Sequence, residues 1–166
     1  MDIGIHPTVV VMGVSGSGKT TVGVILANQL GVPFADADDF HIPELKAKMA
    51  AGHPLTDEDR WTWLARLADW LRGEQDGAVL ACSALKHSYR DVLRTASSRL
   101  CFLHLAGSAE VVSERVGHRR NHYMPASLVE SQYATLEPLS PDEFGVVVDF
   151  TLGPEQIVEQ FLKEVQ

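Results

Sequence analysis

The feature that most constrains this chain is the octapeptide Gly13-Val-Ser-Gly-Ser-Gly-Lys-Thr20, which fits the pattern G-x-x-x-x-G-K-[ST]. An apolar run, Val9 to Met12, precedes it, and residues 21–30 after it carry apolar side chains at helical spacing. A strand, a glycine-rich turn and a helix in this order form a nest of backbone N–H groups at a helix N-terminus, where phosphate groups bind. The sequence therefore predicts a nucleoside triphosphate site.

The residue types of this loop predict individual roles. Lys19 can reach the β- and γ-phosphate oxygens, and the hydroxyl of Thr20 can ligate Mg²⁺. The other predicted nucleotide-binding residues surround the phosphates with N–H groups and hydroxyls: Gly13, Ser15, Gly16, Ser17, Gly18 and Thr21.

Composition narrows the class of protein. With 166 residues, 45% of them hydrophobic and 22% charged, the chain is expected to form one globular domain. We expect a cytoplasmic protein, because no long apolar run and no signal-peptide pattern is present. The net charge of −8 argues against general binding of nucleic acids. Cys82 and Cys101 lie inside apolar runs, which predicts buried thiols.

Strand and helix patterns alternate along the chain. This alternation predicts an α/β fold of the P-loop NTPase type, with a doubly wound, mostly parallel sheet of about five strands and helices on both faces. The predicted strands cover residues 9–12, 32–35, 78–82, 100–105 and 146–149. The predicted helices cover residues 21–30, 43–51, 57–73, a segment from about 85 that Ser83 caps, a segment from 109, then 125–136 and 154–165.

Three aspartates follow the second predicted strand, in the segment Asp36-Ala-Asp38-Asp39. Ligands of parallel sheets bind beyond the carboxyl ends of the strands, so these carboxylates lie beside the phosphate loop if this strand neighbours the first. The alternative is a solvated acidic turn that caps the next helix.

Basic residues suggest an anion site at two places. Arg60 stands in the first turn of a helix that Thr56 is expected to cap, where it opposes the helix dipole, so a carboxylate or phosphate partner is indicated. Lys86, Tyr89 and Arg90 share one helical face after the third strand, which fits an anion or polyol site or else a solvated basic face.

The densest basic stretch contains Arg115, His118, Arg119, Arg120 and His122. A mobile basic segment over the nucleotide, with Arg115, Arg119 and Arg120, would neutralise the transferring phosphoryl group and exclude water, although a helix C-terminus also favours basic residues. His118 and His122 have the spacing of a zinc pair, but no third ligand accompanies them.

Several motifs together resemble the gluconate kinases of the short phosphate-loop type, which are similar in plan to shikimate and nucleoside monophosphate kinases. The matching stretches are the phosphate loop, Asp36-Ala-Asp38 with His41, Lys48-Met49 with Gly52, Pro54-Leu-Thr-Asp-Glu-Asp-Arg60, Cys82-Ser-Ala-Leu-Lys86 with Tyr89-Arg-Asp91, Arg119 with His122, Ser131-Gln132 and Leu136-Glu137. The resemblance spans residues 12–138. One departure is Leu45, which stands where the family commonly has Asn.

The resemblance implies transfer of a phosphoryl group from ATP to the terminal hydroxyl of D-gluconate, in a cytoplasmic enzyme that is usually a homodimer. It implies a layout of three parts: a core, a substrate-binding segment around 36–73 and a lid at about 115–126. Asp38 would accept or orient the proton of the attacking hydroxyl, Asp36 would help hold Mg²⁺, and Arg119 would join Lys19 on the phosphoryl group. The gluconate ligands would be Asp38, His41, Arg60, Lys86, Arg90 and His122.

Two other functions compete with this interpretation. One is a shikimate kinase or another small-metabolite kinase, although Ser-Ala-Leu-Lys stands where shikimate kinases have a glycine triplet. The other is a regulator that binds or hydrolyses its nucleotide without an acceptor. The sequence contains no Asn-Lys-x-Asp guanine motif, which disfavours a GTPase switch.

Overall fold

The computed structural model describes residues 2–53, 56–117 and 126–165. The strands are β1 (Thr8–Met12), β2 (Phe34–Asp36), β3 (Ala78–Ala81), β4 (Cys101–Ala106) and β5 (Gly145–Asp149). The helices are α1 (Lys19–Leu30), α2 (Pro43–Ala50), α3 (Asp57–Gly73), α4 (His87–Arg94), α5 (Ala109–Gly117), α6 (Ala126–Thr135) and α7 (Pro154–Val165), with a 3₁₀ turn at Ala37–Phe40.

The strands form one parallel sheet in the order β2-β3-β1-β4-β5. The first strand in the chain is therefore central: β1 pairs with β3 through Thr8 and Ala78 and with β4 through Val9 and Cys101. This topology confirms the predicted five-stranded, doubly wound sheet. No helix in the described segments is long and apolar enough to cross a membrane.

All five residues of β1 are buried, because both faces of the sheet are covered. Val9 and Val11 pack into one core cluster with residues of α1 and α7, and Val10 and Met12 pack into a second cluster with residues of α3 and α4. The alternation of side chains along a strand explains why a continuous apolar run feeds two separate clusters. Both cysteines are buried as predicted, and burial raises the pKa of each thiol to about 12.

At two points the structure differs from the sequence analysis: the condition that the second strand neighbours the first is not met, and the predicted start and cap of α4 are wrong. β3 lies between β2 and β1, so the strand that leads to the aspartates does not neighbour the first strand. The helix α4 begins at His87 with Lys86 as its N-cap residue, and not near Leu85 with Ser83 as its cap. The backbone of Ala84 has φ 46°, which turns the chain before the helix can begin. The Ser83 carbonyl instead accepts a hydrogen bond from the N–H of Gly13 in the phosphate loop (3.3 Å).

Candidate active site

The phosphate loop folds tightly between β1 and α1. Gly13, Gly16 and Gly18 have φ of 147°, 85° and 98°, a region that other residues rarely adopt. A Cβ atom at Gly13 would lie 2.8 Å from Ser17 Oγ and 2.9 Å from the Leu105 carbonyl oxygen. The glycines thus let the loop close against β4, and α1 starts directly after Gly18 with its free N–H groups at the loop, as anion binding requires.

The loop presents the predicted side chains. Lys19 Nζ donates to the Val14 carbonyl (3.0 Å), and Thr20 and Thr21 stand in the first turn of α1. Ser17 is buried, and its hydroxyl has no hydrogen-bond partner among the residues that the structure describes. A buried hydroxyl without a protein partner fits a cradle whose ligand supplies the missing contact.

The Asp36 carboxylate joins the loop to the segment after β2. Its Oδ2 accepts a hydrogen bond from the Thr20 hydroxyl (2.8 Å), and its Oδ1 accepts from the N–H of Asp38 (3.0 Å). Asp36 is also the N-cap residue of the 3₁₀ turn. The acidic segment therefore lies beside the phosphate loop, and it also caps a helical turn as the alternative interpretation expected. The aspartates reach the loop although β2 is not adjacent to β1. Hydroxyl and carboxylate oxygens are ligands that suit Mg²⁺, and the Thr20–Asp36 pair therefore fits this ion.

Asp38 lies beside this pair with an exposed side chain. Partial desolvation of the Asp38 carboxyl, followed by the negative charges of Asp36 and Asp39, raises its pKa, and the charges of His41 and Lys19 oppose this shift. A carboxylate with a raised pKa accepts a proton more readily. Asp38 Oδ1 lies 3.8 Å from His41 Nε2.

His41 is held by an aromatic side chain of α3. Its ring stacks on Trp63, with the ring centroids 4.5 Å apart and the planes 11° from parallel, and the Trp63 indole N–H donates to the Ala37 carbonyl (2.8 Å). Burial lowers the pKa of the imidazole, although the charge of Asp38 opposes this. His41 Nδ1 is buried without a partner in the described part of the chain. Trp63 thus fixes the angle at which His41 meets Asp38.

Charged side chains from α3 and from the start of α4 converge on Asp57. Its carboxylate accepts a hydrogen bond from the Tyr89 hydroxyl (2.8 Å) and lies 3.5 Å from Arg60 and 3.7 Å from Lys86. The Tyr89 hydrogen bond and these two cations hold the pKa of Asp57 below its usual value. Arg60 and Lys86, which lie far apart in the sequence, therefore meet around one carboxylate. Neither Asp57 nor Trp63 was among the expected site residues, because only the fold brings them to this place.

Arg90 does not belong to this group, and its predicted role as a gluconate ligand is wrong. Its side chain is fully buried, and it faces Glu143 instead of the site, with Nε–Oε2 and Nη2–Oε1 distances of 2.6 and 3.0 Å. The remaining N–H groups donate to the carbonyls of Ala84, Leu85 and Pro138. All five donors of the guanidinium are used inside the protein, so none is left for a substrate.

Of the basic stretch, Arg115 lies within the described residues. It donates to the carbonyls of Phe150 (2.8 Å) and Gly16 (3.4 Å), and its guanidinium lies 4.9 Å from the centre of the Phe150 ring. Arg115 therefore connects the phosphate loop, at Gly16, to the residue that follows β5, Phe150. The predicted lid residues His118, Arg119, Arg120 and His122 lie outside the described residues, and the roles of Arg119 and His122 stay predictions.

Gln132 of α6 contacts the phosphate loop directly. Its Oε1 accepts the N–H of Ser15 (2.7 Å), and its Nε2 donates to the Ser15 hydroxyl (2.9 Å). Both polar groups of Ser15 that were expected to face the nucleotide are thus paired with one side chain. The motif Ser131-Gln132 was part of the family resemblance, but nothing in the sequence indicated its contact with the loop.

Comparisons with known proteins show which family the chain is similar to. A family model described as shikimate kinase matches residues 15–166. A gluconokinase of Gluconobacter oxydans is 45% identical over 168 residues, which cover 99% of this chain and 94% of that protein. The crystal structure of a gluconokinase from Sinorhizobium meliloti has a TM-score of 0.87 at 44% identity and covers 96% of this chain and 91% of its own. The unliganded structure of a sugar kinase from a Janibacter species is 54% identical, with a TM-score of 0.86 and coverages of 95% and 94%.

The parallel sheet, the phosphate loop and the carboxylates beside it define a P-loop kinase. At these identities over nearly the whole length, the chain belongs to the gluconokinase family.

Proposed function

We propose that this enzyme transfers the γ-phosphoryl group of ATP to the terminal hydroxyl of D-gluconate, which gives 6-phospho-D-gluconate and ADP. The relatives named gluconokinases support the acceptor. Within the site, the observation that carries the proposal is the Asp36 carboxylate, which holds Thr20 of the phosphate loop and the N–H of Asp38 at the same time. This contact supports the proposal, because it keeps Asp38, a carboxylate that could take a proton, close to the loop that is proposed to bind the phosphates.

The transfer needs one bond made and one bond broken. The terminal hydroxyl oxygen of gluconate attacks the γ-phosphorus, and the bond from that phosphorus to the bridging oxygen of ADP breaks. Asp38 accepts the hydroxyl proton, for which its raised pKa is suited. Lys19 and the N–H groups of the loop stabilise the charge of the phosphoryl oxygens, and Arg119 is proposed to add a second cation.

Thr20 and Asp36 are the residues that would hold Mg²⁺, Thr20 through its hydroxyl and Asp36 through water. The ion would neutralise charge on the β- and γ-phosphates. The hydrogen bond between Thr20 and Asp36 keeps these two oxygens side by side, so the donors do not have to be gathered when the ion binds.

The carboxylate of gluconate is proposed to bind to Arg60 and Lys86. The convergence of these cations and the Tyr89 hydroxyl on Asp57 supports this assignment, because it gathers two positive charges and a hydroxyl donor at one place. His41, stacked on Trp63, is proposed to contact hydroxyl groups of the acceptor. Leu45, which stands in place of the family's usual Asn, is buried in the segment that follows.

The proposed layout comprises one domain with a substrate-binding segment at about 36–73 and a lid at about 115–126. A homodimer and a cytoplasmic location stay predictions from the resemblance and the composition. The choice of gluconate instead of shikimate rests on the identity to gluconokinases over nearly the whole chain.

The test is the release of ADP in the presence of Mg²⁺ and ATP, first without an acceptor and then with gluconate, shikimate, other sugar acids and nucleoside monophosphates in turn. Among these acceptors, we expect only gluconate to increase the release of ADP strongly. Stimulation by a different acid would keep the kinase and overturn the acceptor. ADP release that no acceptor increases, from a folded protein that binds ATP, would support the regulator instead.

A further inference from the structure

We infer that residues 132–137, here called the strap, couple the nucleotide site to the acceptor site, and that Gln132 and Glu137 are positioning residues at its two ends. The inference deepens the proposed function and rests on it for the identity of the acceptor. It concerns residues that touch neither substrate in the roles assigned above. Three sets of contacts carry it.

At its first end the strap holds the phosphate loop. Gln132 pairs with both the N–H and the hydroxyl of Ser15, as described above. Two hydrogen bonds from one planar amide fix the direction of the peptide between Val14 and Ser15, whereas a single hydrogen bond would let it rotate. The carbonyl of that same peptide is the group that accepts from Lys19 Nζ. A shift of the loop upon nucleotide binding would therefore change the hydrogen bonds between Ser15 and Gln132.

At its second end the strap holds the start of α4. The Glu137 carboxylate accepts the N–H of His87 (2.9 Å), and the Glu137 N–H donates to the Leu85 carbonyl (2.7 Å). The N-cap residue of α4, Lys86, makes no capping hydrogen bond with its own side chain. Glu137, which is distant in the sequence, therefore supplies the capping hydrogen bond at the start of α4. The two hydrogen bonds are made to the residues on either side of Lys86, a proposed ligand of the acceptor carboxylate.

Between these ends the strap cannot move independently of the core. Leu136 packs against both hydrophobic clusters, which otherwise lie on opposite faces of the sheet. The Tyr133 hydroxyl donates to the Gly107 carbonyl (2.9 Å). A displacement at Gln132 is thus passed to Glu137 through packed side chains and one helical turn, because packed groups move together.

Coupling requires that each ligand change the energy of a contact made by the strap. ATP is proposed to bind to the phosphate loop, which Gln132 contacts. Gluconate is proposed to bind to Lys86, whose two neighbouring residues are hydrogen-bonded to Glu137. We therefore expect a nonhydrolysable ATP analogue to increase the affinity for gluconate by at least about fivefold, within the usual range of coupling between two sites. The reverse effect must have the same size, because the linkage is reciprocal.

The experiment measures four dissociation constants by calorimetry: the ATP analogue alone, gluconate alone, and each ligand in the presence of the other. Gln132→Ala and Glu137→Ala should each reduce the coupling factor to near 1, while the affinity for either ligand alone changes by less than about threefold. Because the two residues act through one strap, the double variant should lose no more coupling than either single variant. Glu130→Ala, at an exposed position of α6, is the matched control and should keep the coupling of the unchanged protein.

The rescue variant Glu137→Gln distinguishes positioning from charge. Its amide oxygen can still accept the N–H of His87, so it should keep most of the coupling. Full coupling in folded Gln132→Ala would overturn the inference even if Glu137→Ala did not fold. An absence of coupling in the unchanged protein would overturn it as well. Failure of gluconate to bind the unchanged protein would instead refute the proposed acceptor, and the same four constants would then be measured with the acid that stimulates ADP release.

Discussion

Arg90 is the largest fully buried side chain among the described residues, and it carries a charge that the core must neutralise. Glu143, its bidentate partner, is also fully buried at its side chain. Burial alone would raise the pKa of Glu143, but the hydrogen bonds from Arg90 and Ser140 outweigh it and lower the pKa. Arg90 therefore joins the end of β3 and α4 to the segment before β5.

Replacement of Arg90 by Met should lower the free energy of unfolding by about 3–5 kcal/mol, because it leaves a buried carboxylate without its partner. Urea denaturation measures this loss. Arg94→Met is the matched control: Arg94 is partly exposed, its pairs with Asp91 and Asp142 lie at the surface, and its loss should cost less than about 1 kcal/mol. The double variant Arg90→Met with Glu143→Leu should regain much of the lost stability, and a cost equal to that of Arg90→Met alone would contradict the buried-charge explanation.

Arg90 also shows that residue spacing along a helix predicts which residues are neighbours but not which partner each side chain contacts. The positions of Lys86, Tyr89 and Arg90 correctly predict neighbours at the start of one helix, but they do not state which way each side chain points. Tyr89 and Lys86 turn to Asp57, whereas Arg90 turns to Glu143, which lies much later in the chain. The phosphate loop was predictable in greater detail, because its backbone geometry depends on local glycines.

Asp38→Asn should lower kcat by a factor of about 10² to 10⁴, since an amide cannot accept the proton of the attacking hydroxyl. KM for ATP should change little, because Lys19 and the loop remain intact. Coupled ADP assays at saturating gluconate provide both values. Asp39→Asn removes the exposed carboxylate next to it and should keep kcat within about twofold; equal losses in both variants would mean that only the charge of the segment matters.

Among the elements, α3 depends on the cap at its start. The Thr56 hydroxyl accepts the N–H of Asp59 (3.1 Å), and the Asp59 carboxylate accepts the N–H of Thr56 (2.9 Å), which completes a capping box. Lys48 of α2 donates to the same carboxylate, and these contacts lower the pKa of Asp59 to about 2. The cap was predictable because all its members lie within four residues, whereas the contact with α2 was not.

Thr56→Ala should lower the free energy of unfolding by about 1 kcal/mol, through loss of the hydrogen bond to the N–H of Asp59. It should also raise KM for gluconate, because the freed first turn carries Asp57 and Arg60. Thermal unfolding and steady-state kinetics measure the two effects. Thr62→Ala, at an exposed position inside the same helix, should leave both values nearly unchanged; an equal rise of KM in that variant would exclude the cap as the cause.

At the start of α4, His87 lies among three carboxylates, those of Asp91, Asp142 and Glu143. Partial burial lowers the pKa of its imidazole, but the hydrogen bond to Asp142 and the charges of Glu143 and Asp91 outweigh this and raise the pKa above 6.5. The protonated ring therefore favours the folded state. This stabilisation is complete below pH 6.5 and disappears as the pH rises through the raised pKa.

Comparison of the unchanged protein with His87→Gln across pH 5 to about pH 9 tests this. The difference in unfolding free energy should be largest at the acidic end and should shrink as the pH rises. Ser88→Ala, at an exposed position of α4, removes no titratable group; it is the control and should give no such trend. A difference that grew with pH would mean that His87 is held in its neutral form.

For the molecule as a whole, ligand binding adds directly to stability. An ATP analogue at about one hundred times its dissociation constant should raise the free energy of unfolding by about 2.7 kcal/mol, because only the folded sheet presents the loop. Lys19→Met should lose most of this increase at the same concentration. Lys46→Met, at an exposed position of α2, should keep it, and thermal unfolding with and without the analogue measures both. Equal stabilisation of both variants would remove Lys19 from the nucleotide site.

The central position of β1 has a consequence for a chain that is still being synthesised. The phosphate loop leaves the ribosome early, but the neighbours of β1 are residues 78–81 and 101–104, and the Leu105 backbone against which Gly13 closes comes later still. A nascent chain that ends before Cys101 contains the complete loop motif. It lacks β4, which pairs with one edge of β1, and it lacks the Leu105 backbone that the loop packs against. We expect such a chain to bind no ATP, so that translation of most of the protein precedes its first encounter with a nucleotide.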